Sequence, residues 1–479
     1  MTIVFWRVPG LKHRISSHSI LESAMSVNAV SVRRSGRFRL HKQSAPTVLH
    51  PVKVREIRDA LAPDSRYRTP FRPVGANSSA TDCTSSAAGT VIDVSALDEI
   101  RNIDTYGDTV TVQAGVRIGD LAGELAKHGL ELAGAHDLMS RTVGGAVAGA
   151  CIGPAFGDDG AFFASQVKSI RVITPNGKPI HVRSDQNNLL NAFRLSFGML
   201  GIIYEVELKV RPIRVFSVTH RRCTFEQFAA VSERLSNLDV GLKYFLLPFR
   251  NRVYLDLRRH SPDARAGHRI PWKIKDWGES TVLPHVFKSI NRVVPVAGMR
   301  YRLIDEVSKM TQGLVSTRLV NSGSNFTAQM SSSKGDDAAR RLHYSTWFFP
   351  AADFAIVVQA YREFCLRIHK DSGFRCDMPT VGFRISRDRS ALLSPSFDEP
   401  MIALRAISTQ AKGWGDFAID FGDFARHWGG VPVFNQTLEV PADYALPAFG
   451  SRLEFFRKIR RQFDPENRMM NPYLSQYFL

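Results

Sequence analysis

Three short loops of small residues hold the groups best placed to do chemistry. The first is Val74, Gly75, Ala76, Asn77, Ser78 and Ser79. The second runs from Ser140 through Thr142, Val143, Gly144 and Gly145 to Ala148 and Gly149. The third carries Gly198, Gly201, Ile202 and Ile203. Each is set beside a predicted strand. Small residues let backbone N–H groups come close to a diphosphate with no side chain in the way. One such loop is only a turn signal, because Gly, Asn and Ser favour turns anyway. Three in this order within residues 71–203 point to a dinucleotide cofactor, with a flavin as the leading candidate.

Other chemistries find little footing. The chain has no GxGxxG opening a βαβ unit, no Walker loop, no HExxH and no GxSxG. Its five cysteines, Cys83, Cys151, Cys223, Cys365 and Cys376, are odd in number and include no CxxC. That argues against a disulfide framework or a structural zinc site, and for a reducing, cytoplasmic compartment. No metal site is expected. The formal net charge of +18 suits either simple solubility or attraction of anions. The basic residues are spread out, without aromatic-interleaved blocks, so nucleic acid is not an expected partner. A membrane surface stays open as a partner, as does the oligomeric state. No stretch is long and apolar enough to span a bilayer. The nearest imitation, Thr142 to Phe156 with Gly at every fourth position, is broken by Pro154.

These loops need elements to hold them. A chain of 479 residues exceeds one ordinary core, so two domains are expected. Val54, Ile57 and Leu61 mark one helix face, and Ile118, Leu121, Ala122 and Leu125 another, ended by Gly129. Thr90–Val94 and Thr109–Gln113 are short β-branched strands. Ser169 to Val182 reads as two strands joined at Pro175-Asn176-Gly177. Tyr204, Val206, Leu208 and Val210 alternate with charged residues, as in a half-buried strand. Residues 260–300 are irregular and read as a loop or lid. Leu453, Phe456, Ile459 and Phe463 form a late helical stripe. The first 45 residues are basic, with Glu22 the lone acid. They read equally as a transit peptide, an amphipathic arm, or a leader before a start at Met25.

Together the three loops resemble those of the vanillyl-alcohol oxidase and p-cresol methylhydroxylase type of FAD-linked oxidoreductases. Later segments resemble the sugar-lactone and alditol oxidase branch. These are Phe383-Arg384 with Leu393-Ser394-Pro395, then Arg426-His427-Trp428-Gly429-Gly430, then Asn471-Pro472-Tyr473-Leu474. The resemblance implies an α+β fold. A two-subdomain FAD-binding domain (45–215) precedes a substrate domain of antiparallel sheet plus helices (216–430). A C-terminal segment (431–479) returns to the first domain, and residues 1–44 are an extension. It also implies oxidation of a C–H bond in an alcohol, hydroxy acid or similar molecule by hydride transfer to flavin N5. Oxygen or another carrier then takes the electrons.

Several positions depart from the family pattern. Ser78 stands where many members carry a flavin-linked His, so FAD is expected to be non-covalent. Ile152 replaces another His. The branch's acidic residue and Lys align with Gly382 and Gly430. The substrate is therefore expected to differ from a polyol, with an anionic one among the options. The alternative is a flavin-binding partner or sensor without oxidase activity. Arg384 and His427 are the candidate catalytic residues, for charge stabilisation and proton transfer. Asn471 is expected to support the flavin. Cys151 reads as a small buried residue.

Overall fold

The β-branched run Thr109–Gln113 is a strand with those bounds, and the Tyr204 alternation falls inside the strand Ile202–Lys209. The computed structural model describes residues 46–135, 138–152, 162–236, 240–260, 283–313, 319–321 and 342–479. Ser44–Leu479 makes one compact unit. The basic extension, Gly153 and Gly157 of the glycine repeat, and residues 261–282 of the expected lid lie outside the described residues.

Two small sheets build the cofactor side. β1 (Thr47–Leu49), β2 (Phe71–Val74) and β3 (Thr90–Asp93) form a parallel sheet of order β1-β3-β2. β4 (Ile100–Asp104), β5 (Thr109–Gln113), β7 (Val167–Ile173), β8 (Pro179–Arg183) and β9 (Ile202–Lys209) form an antiparallel sheet of order β4-β5-β9-β7-β8. A third pair joins β6 (Leu130–Glu131), between β5 and β7 in sequence, to β10 (Arg211–Pro212), just after β9. The turn expected at Pro175-Asn176-Gly177 joins β7 to β8, with Gly177 at φ +79°. The helices are α1 (Val54–Leu61), α2 (Ile118–Lys127), α3 (Val143–Ala148) and α4 (Asn187–Phe193).

The second half is one antiparallel sheet. Its strands are β11 (Val215–Cys223), β12 (Gly241–Leu247), β13 (Arg252–His260), β14 (Leu319–Asn321), β15 (His343–Pro350), β16 (Thr380–Ile385), β17 (Met401–Ser408) and β18 (Val431–Pro432). Their order is β14-β11-β13-β12-β16-β17-β15-β18. Helices α5 (Phe225–Ser236), α6 (Leu283–Val293), α7 (Ala297–Gly313), α8 (Phe354–Ser372) and α9 (Trp414–His427) accompany it. Where the sequence reading expected a loop after 282, α6 and α7 stand instead. Phe287 packs there with Tyr301 and Ile304. Pro284 sits in the first turn of α6, where a missing N–H costs nothing.

Register decides what each sheet face carries. Side chains alternate along a strand, so direct partners share a face. Thr346 faces Arg405, and Arg405 faces Val381. One face therefore holds Tyr344, Thr346, Phe348, Arg405, Val381 and Phe383. It meets the cofactor side: the Tyr344 hydroxyl donates to the Ser78 carbonyl at 3.0 Å, and the Phe348 ring lies 6.1 Å from that of Phe162. The other face carries Tyr244, Thr380, Gly382, Arg384, Trp347 and Phe349, and helices cover it. Tyr244 packs on Phe228 of α5 and Phe354 of α8, and Phe349 packs on Phe424 of α9.

The chain ends with α10 (Ala445–Phe449), α11 (Ser451–Phe463) and α12 (Pro472–Phe478). This tail packs on the first half. Arg468 donates to the carbonyls of Leu61 (2.9 Å) and Pro175 (2.7 Å), and the Phe71 amide donates to the Arg468 carbonyl at 2.8 Å.

Candidate cofactor site

The first loop leaves the end of β2, and one buried side chain fixes the ground beneath it. Arg72, 1% exposed, donates from Nε to the Cys83 carbonyl at 2.8 Å and from Nη1 to the Met469 carbonyl at 2.6 Å. Its Nη2 donates to the Phe197 carbonyl. Three segments remote in sequence thus share one guanidinium. Burial pushes that guanidinium down to about 10, against the pull of Cys83 and Asp464. The third loop needs such a restraint. Leu195 and Phe197 sit at φ +54° and +50°, and Gly198 and Gly201 at +72° and +134°. Two non-glycine residues in this region persist only when their surroundings over-determine them.

The loops meet face to face. A Cβ on Gly75 would lie 2.1 Å from the Thr142 hydroxyl, so the first two loops can touch only with glycine there. Thr142 in turn caps α3, accepting from the Gly145 amide at 3.3 Å. The resulting cavity is lined by Val74, Gly75, Ala76, Asn77, Ser78, Ser79, Thr142, Gly144, Gly145, Ala148, Gly149, Gly198, Gly201 and Ile203, all of them expected from sequence. Four expected residues do not line it. Ser140 accepts from Arg117 on an exposed side. Val143 and Ile202 are fully buried. Asn471 stands behind the wall, donating to the carbonyls of Asp82 and Ser85 at 2.7 Å each, and so pins the turn that brings Cys83 and Thr84 to the cavity.

The lining has the donor set of a diphosphate site. Among the described residues, no group accepts a hydrogen bond from the amides of residues 76–79. Arg141 adds a cation and donates to the Ser78 carbonyl at 3.0 Å. Asn435, which also lines the cavity, has a buried Oδ1 without a hydrogen-bond partner. A buried amide oxygen left unpaired is costly, and a ligand N–H or O–H would satisfy it. These residues fit FAD. Sequence reading missed Arg141, Asn435 and Gln436. Arg141 lies between Ser140 and Thr142 of the second loop, whereas Asn435 and Gln436 have only their position after the Trp428-Gly429-Gly430 segment as a signal.

Beyond Gln436 the sheet offers a cation. Arg405 donates from Nη2 to Gln436 Oε1 at 2.9 Å and from Nε to Thr346 Oγ1 at 3.1 Å, with its Cζ 5.6 Å from the Phe383 ring centre. Cys151 lines the cavity nearby. Burial pushes its thiol up, while Arg141 and Arg405 pull it back.

The two catalytic candidates are not brought to this place. Arg384 shares the helix-covered face with Thr380 and Gly382, opposite to Arg405. His427 ends α9 in an exposed position, its ring 5.2 Å from Trp428. Neither lines the cavity. Gly382 and Gly430, two of the positions expected to depart from the family pattern, are tightly packed. A Cβ on Gly382 would fall 2.0 Å from Tyr244 Cζ, and the Tyr244 hydroxyl donates to the Ala403 carbonyl. At Gly430 it would fall 2.9 Å from both Phe349 Cε1 and the Ala425 carbonyl.

Comparison with known proteins agrees with this geometry. The family described as FAD binding domain matches residues 45–183. L-gulonolactone oxidase of Bos taurus is 30% identical over 453 residues, spanning 89% of this chain and 94% of its own. L-gulono-1,4-lactone dehydrogenase of Mycobacterium tuberculosis is 27% identical over 231 residues, 47% of this chain and 51% of its own. The crystal structure of cholesterol oxidase from B. sterolicum superposes with a TM-score of 0.73 at 16% identity, covering 91% of this chain and 97% of that one. At that identity the likeness speaks for the fold alone.

Proposed function

This chain belongs to the FAD-linked oxidoreductases of the vanillyl-alcohol oxidase and p-cresol methylhydroxylase type, and we propose that it oxidises a hydroxyl-bearing small molecule whose negative charge is held by Arg405. Bound flavin supplies the chemistry by accepting a hydride from the substrate carbon. The chain supplies the rest. Amides of residues 76–79 and Arg141 hold the diphosphate, and Asn435 Oδ1 accepts a ligand donor.

The observation that carries the substrate class is the sheet face. Among the residues facing the cofactor side, Arg405 is a cation joined to the cavity wall through Gln436. A guanidinium presents parallel N–H groups that match a carboxylate. Relatives carry lactone names, and this chain replaces the branch's acid and Lys by packed glycines. A hydroxy acid suits it better than a neutral polyol or lactone. Packing at Gly382 and Gly430, together with the intact cavity, supports a working oxidoreductase over a silent flavin sensor.

Three finer readings follow. FAD is non-covalent, because Ser78 has no ring nitrogen to offer and the raised Cys151 thiol is poor in thiolate. Oxygen is the acceptor we favour, from the oxidase among its relatives. Five free thiols suit the cytoplasm.

The test is anaerobic mixing of FAD-loaded protein with hydroxy carboxylates, and separately with aldonolactones and polyols. The expected result is loss of the flavin's visible bands with hydroxy carboxylates and a much slower loss with neutral compounds. Equal rates for both classes would remove the anionic substrate from the proposal.

A further inference from the structure

The same sheet carries a second concavity on its helix-covered face, at the end remote from Arg405. On β11 and β13, Thr219 pairs with Leu257 and Arg221 with Leu255, so these residues share a face with Cys223 and Arg259. Helix α5 lays Gln227, Val231, Arg234 and Leu235 across them. The groove between holds about 570 Å³, within the range of roughly 300–1,000 Å³ usual for small-molecule sites.

Its chemistry is split by depth. Leu255 and Leu235 are buried at the bottom, Leu257 is half-buried, and Val231 is left 40% exposed. Arg221, Arg234 and Arg259 are exposed around this apolar strip. Among the lining residues there is no carboxylate. Two described acids on these elements are engaged elsewhere. Glu226 accepts from Asn251 Nδ2 at 3.2 Å. Asp256 is turned to the opposite face, where it pairs with His220 at 2.6 Å. Among the described residues, none of the three arginines has an acidic partner. Three cations around an aliphatic floor, on a chain of net charge +18, call for an anion with an apolar body.

We propose that this groove binds a single-chain anionic amphiphile: an acyl chain on the Leu235, Leu255 and Leu257 floor, with its carboxylate among Arg221, Arg234 and Arg259. The floor has no aromatic ring on which a base would stack, which disfavours nucleotides. A free phosphate would leave the leucines wet. The apolar residues lie below the arginine rim in a concavity, where a bilayer surface does not reach but a single chain does.

Calorimetry of dodecanoate, below its micelle concentration, with FAD-loaded full-length protein tests this. Saturable binding of one dodecanoate per chain is expected, tightening by about fourfold per added methylene until the floor is filled. Its methyl ester should bind about tenfold more weakly or worse, and so should the acid to R221Q/R259Q. Both arginines are exposed, and retained flavin bands in that variant report an intact fold. Absence of saturable binding would overturn the proposal. So would equal affinity for acid and ester, or an unchanged constant in R221Q/R259Q. Displacement of the acid by inorganic phosphate would reassign the groove to phosphate. Binding to vesicles of anionic phospholipid without binding of monomeric dodecanoate would reassign it to a membrane surface.

Discussion

The cofactor loops and the sheet that faces them hold their groups by opposite means. The loops work through backbone: amides of residues 76–79, a glycine at 75 that lets two loops touch, and carbonyls of Cys83, Phe197 and Met469 gathered on Arg72. The sheet works through side chains, and only register selects which ones. A shift of one residue would exchange the faces of β16 and β17 and turn Arg405 away from the cavity. A loop site therefore fails through loss of a restraint, whereas a sheet site fails through loss of one side chain or of its register.

The contrast can be broken at its strongest point first. Arg72→Met should remove the shared donor from three carbonyls and leave them buried. The expected cost is about 3–5 kcal/mol, the size seen when a buried charged partner is deleted. Thermal unfolding and the flavin retained through gel filtration measure it. A variant with wild-type stability and full FAD would show that the loops hold themselves.

Next comes G382E, which restores the branch's acidic residue. Because Tyr244 already fills that space, it should destabilise by at least about 1–3 kcal/mol and give no gain with polyols. Denaturant titration and a polyol assay check both halves. Improved polyol oxidation would mean that Gly382 faces substrate after all. The smallest effect is at Cys151. Its raised thiol pKa lowers the thiolate fraction near neutral pH, so alkylation there should be slower than for a solvent-exposed thiol and should speed up only at alkaline pH. Peptide mass spectrometry against pH reads this. Rapid neutral alkylation would place Cys151 in a wetter, more cationic setting than the cavity wall provides.

Local pattern explains what could be read in advance. The strand at Thr109–Gln113, the helix from Ile118 and the turn at Gly177 follow from β-branching, a 3.6-residue stripe and a positive φ. Each is decided within a few neighbours. The loops were legible for the same reason, since glycine and small residues announce close backbone approach wherever they fall. Arg384 and Arg405 are different. Both are arginines in apolar strands, and each strand alone permits either face inward. Only the pairing of Thr346, Arg405 and Val381 settles which arginine lies on the sheet face toward the cofactor side. Asn435 and Gln436 were hidden likewise. They reach the site because β18 pairs with β15, a contact across more than eighty residues. The helices α6 and α7 were hidden by the irregular pattern of residues 260–300; Pro284 falls inside the first turn of α6 and Pro295 between the two helices.

The most direct measurement is the rate of anaerobic flavin reduction by a hydroxy carboxylate in R405Q and R384Q, side by side. Loss of a charge-assisted contact corresponds to about 10- to 100-fold in rate. R405Q should show that loss while keeping its FAD, R405K should recover part of it, and R384Q should reduce near the wild-type rate. Slow reduction in R384Q with normal reduction in R405Q would reverse the two faces and contradict the site described above.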